Sequence, residues 1–165
     1  MSAATSRAWA VAAATPDPEL PQLTVADLGI LRAVDDADGC VVATITPTYS
    51  GCPALREISA DLEHRLRAAG FKRVEVRAQL SPPWTTDWIT PAGRRKLAAA
   101  GIAPPAPARR TSGPIPVTLE PRRAVTCPHC GSAATVETAA FSATACKALY
   151  RCRSCAEPFE AVKSL

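Results

Sequence analysis

Aromatic residues, methionine and long apolar segments are all scarce in this sequence. Phenylalanine, tyrosine and tryptophan make up 5% of the 165 residues, and there is one methionine. The longest wholly apolar segment, residues 8–14, is mainly alanine, whereas a membrane-spanning helix requires about 20 apolar residues. We therefore predict no membrane-spanning helix and no membrane partner, and expect one modest hydrophobic core with a small additional module.

Strong net charge is also absent. The formal net charge is +4, and the excess lies in residues 104–165, which carry 8 basic and 4 acidic side chains against 11 of each in residues 1–103. Four cysteines bound to Zn²⁺ as thiolates would add −4 + 2 = −2, which leaves about +2 overall. This balance is a weak argument for nucleic acid, and we predict no nucleic-acid partner.

Composition divides the chain into a tail, two modules and a linker. Residues 104–121 contain six prolines and no helical period, which predicts a semi-rigid, extended linker. Residues 1–15 only superficially resemble a signal peptide, because their apolar segment lacks leucine. We predict a flexible tail there, disordered or helical only on induction, and domains at 16–103 and 122–165. The cysteines suit a reducing compartment, so we expect a cytoplasmic protein.

The strands expected in residues 16–103 come from two kinds of pattern. Residues 30–34 and 40–46 flank a polar Asp/Gly turn, which predicts a hairpin. Residues 73–80 alternate charged or polar and apolar side chains, as in a strand with one buried face. These residues therefore supply three strands.

Two helices are expected among these strands. After Cys52, apolar residues recur at helical spacing until Gly70: Leu55, Ile58, Leu62 and Leu66. A second, shorter helix has Thr90 as N-cap, Pro91 in its first turn and Gly101 after its end. The predicted order is ββαβα, a small α+β sandwich.

Two CxxC pairs form the most specific motif in the chain. Cys127 with Cys130, and Cys152 with Cys155, can complete a tetrahedral four-sulfur cage for Zn²⁺. The segment between the pairs is too small to bury a core unaided. We therefore expect residues 122–165 to form a β-rich ribbon in which structural zinc supplies the folding free energy. An iron–sulfur cluster on the same thiolates and a redox dithiol are alternatives.

Cys52 lies outside this motif, where a predicted strand meets a predicted helix. Gly51 permits a tight turn, Pro53 suits a helix start, and the helix dipole would favour a thiolate. The residue is either a reactive thiol or a small buried apolar residue. A cysteine enzyme with His64 as base ranks last, because His64 lies three helical turns away. Cys146 is interpreted as a buried hairpin residue, with a transient ligand as the alternative.

Seven short segments after the tail carry a family resemblance. They are DPELP at 17–21, VADLGILRAV at 25–34, TPTYSGCPA at 46–54, PPWTTDWIT at 82–90, GIAPP at 101–105, CPHCGS at 127–132 and CKALYRCRSCAEPF at 146–159. Together they resemble the D-subunit family of the phenylacetyl-CoA epoxidase system (PaaD, or PaaJ). The resemblance covers nearly the whole chain beyond the N-terminal tail.

Residues 17–103 more broadly resemble small iron–sulfur assembly domains, including the eukaryotic cytosolic cluster-targeting factor and bacterial SufT-like proteins. The hallmark of that family is a reactive cysteine in a TxxGCP setting, which corresponds here to Cys52 with Thr48. The acidic residue of the family's DLG segment corresponds to Asp27. The resemblance implies that Cys52, Asp27 and Thr48 serve cluster or iron transfer, with a transient iron ion or iron–sulfur cluster at Cys52 and no catalytic residue.

The resemblance also implies partners: the di-iron oxygenase and flavin/[2Fe–2S] reductase subunits of a system that epoxidises the ring of phenylacetyl-CoA. The chain has no pair of Glu-x-x-His motifs and no Rossmann fingerprint, so we do not expect it to be either component. We expect a non-catalytic accessory subunit of aerobic phenylacetate catabolism that matures a metal centre through Cys52.

The alternative is a structural adaptor that holds the oxygenase components together, and a homodimer is compatible with both functions. Trp84 and Trp88 suit either a contact with a client protein or a second copy of the chain, or packing in the core.

Overall fold

The computed structural model describes residues 3–49, 51–106 and 125–164. The chain divides into two compact units, Met1–Lys96 and Leu97–Leu165. Within the described ranges, no helix combines the length and the apolar character needed to cross a membrane.

The N-terminal residues form helix α1 (Ala3–Ala13), where we predicted a flexible tail. Ala8 and Ala12 are completely buried, and the Arg7 guanidinium lies 4.6 Å from the centre of the Phe71 ring. Alanine favours the helix and is small enough for it to pack closely. Tertiary packing therefore orders a segment that has too few large apolar residues to indicate an amphipathic helix.

A three-stranded sheet forms the centre of the first unit. Its strands β1 (Leu31–Ala37), β2 (Cys40–Ile45) and β3 (Arg73–Ala78) lie in the order β1-β2-β3. β1 and β2 form an antiparallel hairpin, in which Asp38 and Gly39 have φ values of 51° and 75°, as a tight two-residue turn requires. β2 and β3 are parallel, so the chain must cross over between them.

Helix α2 (Ala54–Ala68) makes this crossover. Four apolar residues form its buried face: Ala54, Ile58, Leu62 and Leu66. On another face Arg65 pairs with Asp61 at 2.7 Å, an i,i+4 ion pair of the kind that stabilises exposed helix surfaces. The helical spacing predicted from the sequence is confirmed at Ile58, Leu62 and Leu66, whereas Leu55 is half-buried and Ala54 is buried in its place.

The tryptophans at 84 and 88 pack within the first unit. Trp84 is 7% exposed, and its Nε1–H donates to the carbonyl of Leu28 at 2.9 Å. Trp88 is half-buried, with the Arg32 guanidinium 3.5 Å from its ring centre. Core packing, one of the two predicted roles, therefore accounts for Trp84.

Helix α3 (Pro91–Ala99) follows a single 3₁₀ turn at Thr86–Trp88. Its predicted cap is present, since the Thr90 hydroxyl accepts the Gly93 N–H at 2.9 Å. Gly101 follows with a φ of 74°, as a helix end commonly requires.

The second unit contains a four-stranded sheet in the order β4-β7-β6-β5. The strands are β4 (Ile102–Ala103), β5 (Thr135–Ala139), β6 (Lys147–Cys152) and β7 (Pro158–Val162). β6 is antiparallel to both of its neighbours, and β4 is parallel to β7. The buried cluster is small and includes two of the CxxC cysteines: Ala103, Cys127, Cys152, Phe159 and Ala161.

The predicted fold class is confirmed: an α+β domain precedes a β-rich ribbon, and β1, β2, α2, β3 and α3 occur in the expected order. β4 falls in the range assigned to the first domain but pairs with β7 in the second unit. The remaining domain boundaries stay a prediction. Most of the predicted linker, residues 107–121, lies outside the described residues.

Two glycines separate steric from conformational requirements in the first unit. Gly29 has a φ of 68°, and a Cβ added there would lie 2.5 Å from the carbonyl oxygen of Trp88. Gly39 has a φ of 75°, and a Cβ added there would meet no atom beyond its chain neighbours within 4 Å. We predict that Gly29→Ala lowers the free energy of unfolding by about 3 kcal/mol, because strain and a backbone clash add. Gly39→Ala should cost about 1 kcal/mol from strain alone. Urea unfolding followed by tryptophan fluorescence measures both, and equal losses would contradict the clash.

Candidate functional site

Four cysteine side chains converge in the second unit. Cys127 and Cys130 precede β5, Cys152 ends β6, and Cys155 lies in the turn before β7. All four Sγ atoms lie within 4.8 Å of one another. The folded chain therefore brings together the two CxxC pairs that the sequence predicted as one group.

The spacing of these sulfurs fits a single tetrahedral metal ion. Cys127 Sγ lies 3.8 Å from Cys155 Sγ, and Cys130 Sγ lies 3.6 Å from Cys152 Sγ. A tetrahedron with Zn–S bonds of about 2.3 Å has sulfurs about 3.8 Å apart, whereas disulfide sulfurs are about 2.05 Å apart. The group is therefore a metal-binding site of four thiols, closed to any further ligand if all four bind.

Two of the four thiols have pKa values that are shifted in opposite directions. The backbone N–H groups of Cys155 and Ser154 help to lower the pKa of Cys152 to about 6. A hydrogen bond from the Glu157 N–H lowers the pKa of Cys155, but burial and the three neighbouring sulfurs outweigh it and raise this pKa to about 12. One thiol ionises readily and another resists, because adjacent negative charges repel. A bound cation would allow all four to be thiolates.

Cys52 occupies a different setting, in the turn between β2 and α2. Its N–H donates to the Tyr49 carbonyl at 3.1 Å, and its carbonyl accepts the Leu55 N–H at 3.2 Å. The half-buried thiol forms hydrogen bonds with the Ala54 N–H and the Thr48 hydroxyl. Of the predicted transfer residues, Thr48 is therefore brought directly to Cys52.

The helix start acts on Cys52 in the expected direction, because the Ala54 N–H lowers the pKa of the thiol, but it does not decide the net shift. Burial raises the pKa of Cys52, and this effect outweighs the hydrogen bonds from Ala54 and Thr48, which lower it. The carboxylates of Glu19 and Asp17 raise the pKa of the thiol further. At neutral pH the folded protein therefore holds this side chain as the neutral thiol.

Asp27 belongs to another network. Its carboxylate accepts the Lys96 ammonium at 2.5 Å and the Thr24 N–H at 3.0 Å, and its own N–H donates to the Thr24 hydroxyl. Burial opposes ionisation, yet Lys96 and Thr24 together lower the pKa of Asp27. Asp27 carbonyl also accepts the Thr90 N–H at 2.9 Å. These contacts connect Asp27 to the start of α3, and its predicted role in transfer stays a prediction.

Asp17 and Glu19 are the site residues that sequence reasoning missed. Asp17 is 5% exposed, and its Oδ1 accepts the N–H groups of Glu19 and Leu20 at 3.0 and 2.8 Å. Both carboxylates act electrostatically on Cys52. The DPELP segment was visible in the sequence, but only the folded chain places it beside a thiol so distant along the sequence.

Comparison with known proteins identifies both parts of the chain. Residues 13–78 match the family model described as "Iron-sulfur cluster assembly protein", and residues 111–163 match "PaaD zinc beta ribbon domain". An Escherichia coli (strain K12) protein named "Putative 1,2-phenylacetyl-CoA epoxidase", and specified as its D subunit, is 44% identical over 157 residues, which cover 95% of this chain and 91% of that protein. The chain belongs to the PaaD family.

A solved structure supports the fold of the first part. The crystal structure of a DUF59 domain from Bacillus anthracis has a TM-score of 0.53 and 26% identity, over 58% of this chain and 92% of that one. The two family models and the Escherichia coli relative confirm the resemblance to the PaaD family and to iron–sulfur assembly domains that the sequence analysis gave. This PaaD-family chain thus combines an assembly-type domain with a four-cysteine ribbon.

The electrostatic setting of Cys52 leads to a test with opposite expected signs. Thr48→Val removes a hydrogen bond that lowers the pKa of the thiol, so alkylation by iodoacetamide at mildly alkaline pH should slow. Glu19→Gln removes a charge that raises this pKa, so alkylation should accelerate. Rates at Cys52 as a function of pH, from peptide mass spectrometry, measure both changes. A thiol that reacts fully below neutral pH in the unmutated protein would contradict the raised pKa.

The four-sulfur group leads to a second prediction. We predict one metal ion per chain and weaker binding on acidification from about pH 8 to pH 5, because protons compete for the thiolates. Titration with Co²⁺, followed by its sulfur charge-transfer absorption, measures the affinity. Cys130→Ser should abolish the four-sulfur spectrum, whereas Cys146→Ser, which changes a thiol outside the group, should retain it. Equal spectra from both variants would contradict the assignment.

Proposed function

We propose that this protein is a non-catalytic accessory subunit of a phenylacetyl-CoA ring-epoxidase system, in which it assists assembly of the iron–sulfur or di-iron centre of the reductase or oxygenase through Cys52. Two findings support this proposal: the Escherichia coli relative is named a subunit of such an epoxidase, and the first domain matches an iron–sulfur cluster assembly model.

The observation that carries the proposal is the position of the Cys52 thiol. It lies at the start of α2 among hydrogen-bond donors and carboxylates, and it is not a member of the four-sulfur group of the ribbon. A neutral thiol can exchange its proton for a metal ion: the S–H bond breaks, a sulfur–metal bond forms, and the proton leaves to solvent. Because this exchange costs a proton, binding at Cys52 should be weaker than at a site whose ligands are already ionised.

Cys52 cannot hold a cluster alone, since iron–sulfur clusters ordinarily require about four protein ligands. The carboxylates of Asp17 and Glu19 are the nearby groups that act on this thiol. We propose that the missing ligands come from a client subunit, a second copy of the chain or a small thiol. An incomplete ligand set suits a site that passes on its metal.

The ribbon has a separate role in this proposal. We assign zinc to its four cysteines, because a closed tetrahedral sulfur site without an open position is typical of structural zinc. The zinc-bound ribbon would fold and offer its surface to the client. None of the seven cysteines, all of which the structure describes, forms a disulfide, and a chain that needs reduced cysteines suits the cytoplasm.

A structural adaptor is the second candidate function. The raised pKa and half-buried position of Cys52 favour it, because an unreactive thiol in a helix-starting turn can be a packing residue. In this case the two units only hold epoxidase components together.

Replacement of the thiol distinguishes the two functions. The epoxidase components are co-expressed with the unmutated chain, with Cys52→Ala, or with Cys40→Ala, a control at another half-buried cysteine. If Cys52 transfers metal, Cys52→Ala should lower the iron content and epoxidase turnover of the partner subunits about tenfold or more, because they stay unloaded, while they still copurify with the chain. Cys40→Ala should change neither.

Two other outcomes would reject the transfer role. If the partner subunits have full iron content with Cys52→Ala, the adaptor is the function that remains. If they no longer copurify with the Cys52→Ala chain, the substitution acts through docking. Zinc content of the purified chain should remain one per chain throughout, which verifies that the ribbon is intact.

A further inference from the structure

β3 leaves one edge of the first unit's sheet open. Within the described part of the chain it pairs with β2 alone. Most of its side chains are exposed, and the valines at 74 and 76 are half-buried. The strand contains neither proline nor a bulge in its register with β2. A regular, uncovered edge of this kind can pair with another strand.

The register with β2 determines which backbone groups face the open edge. The Gln79 N–H donates to the Ile45 carbonyl at 2.8 Å, and Ile45 is the partner of Ala78. In a parallel ladder, alternate residues direct both backbone groups toward the same neighbour. The odd-numbered residues of β3 therefore bond β2. The outward groups belong to three apolar residues: Val74, Val76 and Ala78.

The charged residues of β3 alternate with these three. Arg73, Glu75 and Arg77 are exposed, and Arg77 Nε lies 2.6 Å from Glu75 Oε1. The strand thus presents the charges plus, minus, plus at every second position. Such a pattern is complementary to an antiparallel copy of itself when the register places Glu75 opposite Arg77.

We propose that β3 forms a homodimer interface, in which two copies of the chain join edge to edge as antiparallel strands with Val76 opposite Val76. In this register Val74 faces Ala78 of the second copy, so the outward backbone groups bond one another. Glu75 faces Arg77 of the second copy, and this pair occurs twice. Two three-stranded sheets become one sheet of six strands.

Other antiparallel registers with the same side-chain faces are less favourable. A register with Glu75 opposite Glu75 also places Arg73 opposite Arg77, and like charges directly opposite destabilise a sheet. A register centred on Val74 places Lys72 beside Val76 and reaches Gly70, beyond the end of the strand. Only the register centred on Val76 matches charges, apolar residues and strand length together.

A groove between β3 and α2 supports the same arrangement. It has a volume of about 580 Å³ and is lined by Leu55, Val74 and Val76, with Arg56 and Glu63 on α2. A two-fold axis through Val76 makes α2 antiparallel to its copy, which brings Arg56 toward the end that carries Glu63. The second copy would cover apolar surface that one chain leaves accessible.

Charge reversal with mixing tests the proposal on the full chain. Sedimentation velocity over a wide concentration range should show a monomer–dimer equilibrium. Glu75→Arg and Arg77→Glu should each weaken dimerisation about tenfold or more, because each places like charges opposite one another twice. An equimolar mixture of the two variants should dimerise again, because each reversed charge then faces an opposite charge in the other chain.

Arg95→Glu, an exposed charge reversal on α3, is the matched control and should leave the dimer unchanged. Circular dichroism verifies that each variant is folded. A chain that stays monomeric at all concentrations would overturn the proposal, as would a dimer indifferent to both reversals or a mixture that fails to dimerise.

Discussion

The parallel pairing of β2 with β3 is the constraint on which the first unit depends. Parallel neighbours cannot be joined by a tight turn, so α2 must cross the sheet, and its face of Ile58, Leu62 and Leu66 is buried as a result. The crossover begins at the carboxyl end of β2, which is where Cys52 lies. Crossover turns at carboxyl ends of parallel strands commonly hold functional groups, because the helix start directs backbone N–H groups there. In the described part of the chain β3 has no second neighbour, so it is an edge strand.

The second unit depends on its four sulfurs instead. Its buried cluster is small, and two of its five members are the cysteines Cys127 and Cys152. Apolar burial at about 25 cal/mol per Å² gives such a core little surplus over the entropy of ordering the chain. The stacked pair Tyr150 and Phe159, with centroids 5.8 Å apart, adds packing beside the sulfurs. A cation that binds all four thiolates would therefore stabilise the four-stranded sheet and the two CxxC turns together.

Local patterns in the sequence were sufficient for the helix after Cys52, the cap at Thr90 and the grouping of the ribbon cysteines, because helical period, capping and CxxC spacing act over a few residues. The N-terminal helix was missed because its buried residues, Ala8 and Ala12, carry almost no hydrophobic signal. The net pKa shift of Cys52 could not be predicted, because the helix start is visible in a sequence, whereas burial and the carboxylates of Asp17 and Glu19, which outweigh it, are not. Contacts between distant segments, such as Lys96 with Asp27, likewise required the folded chain.

The two cysteine sites differ in a way that bears on what each can do with a metal. In the ribbon, four sulfurs of one chain complete a coordination shell, and Cys152 is already inclined to ionise, so a bound ion is held on every side. Cys52 offers one sulfur whose proton is retained by burial and by two carboxylates. A metal must displace that proton and find its other ligands elsewhere, so its residence there depends on a second molecule. Retention therefore suits the ribbon, and exchange, on the function proposed for this protein, suits the turn between β2 and α2.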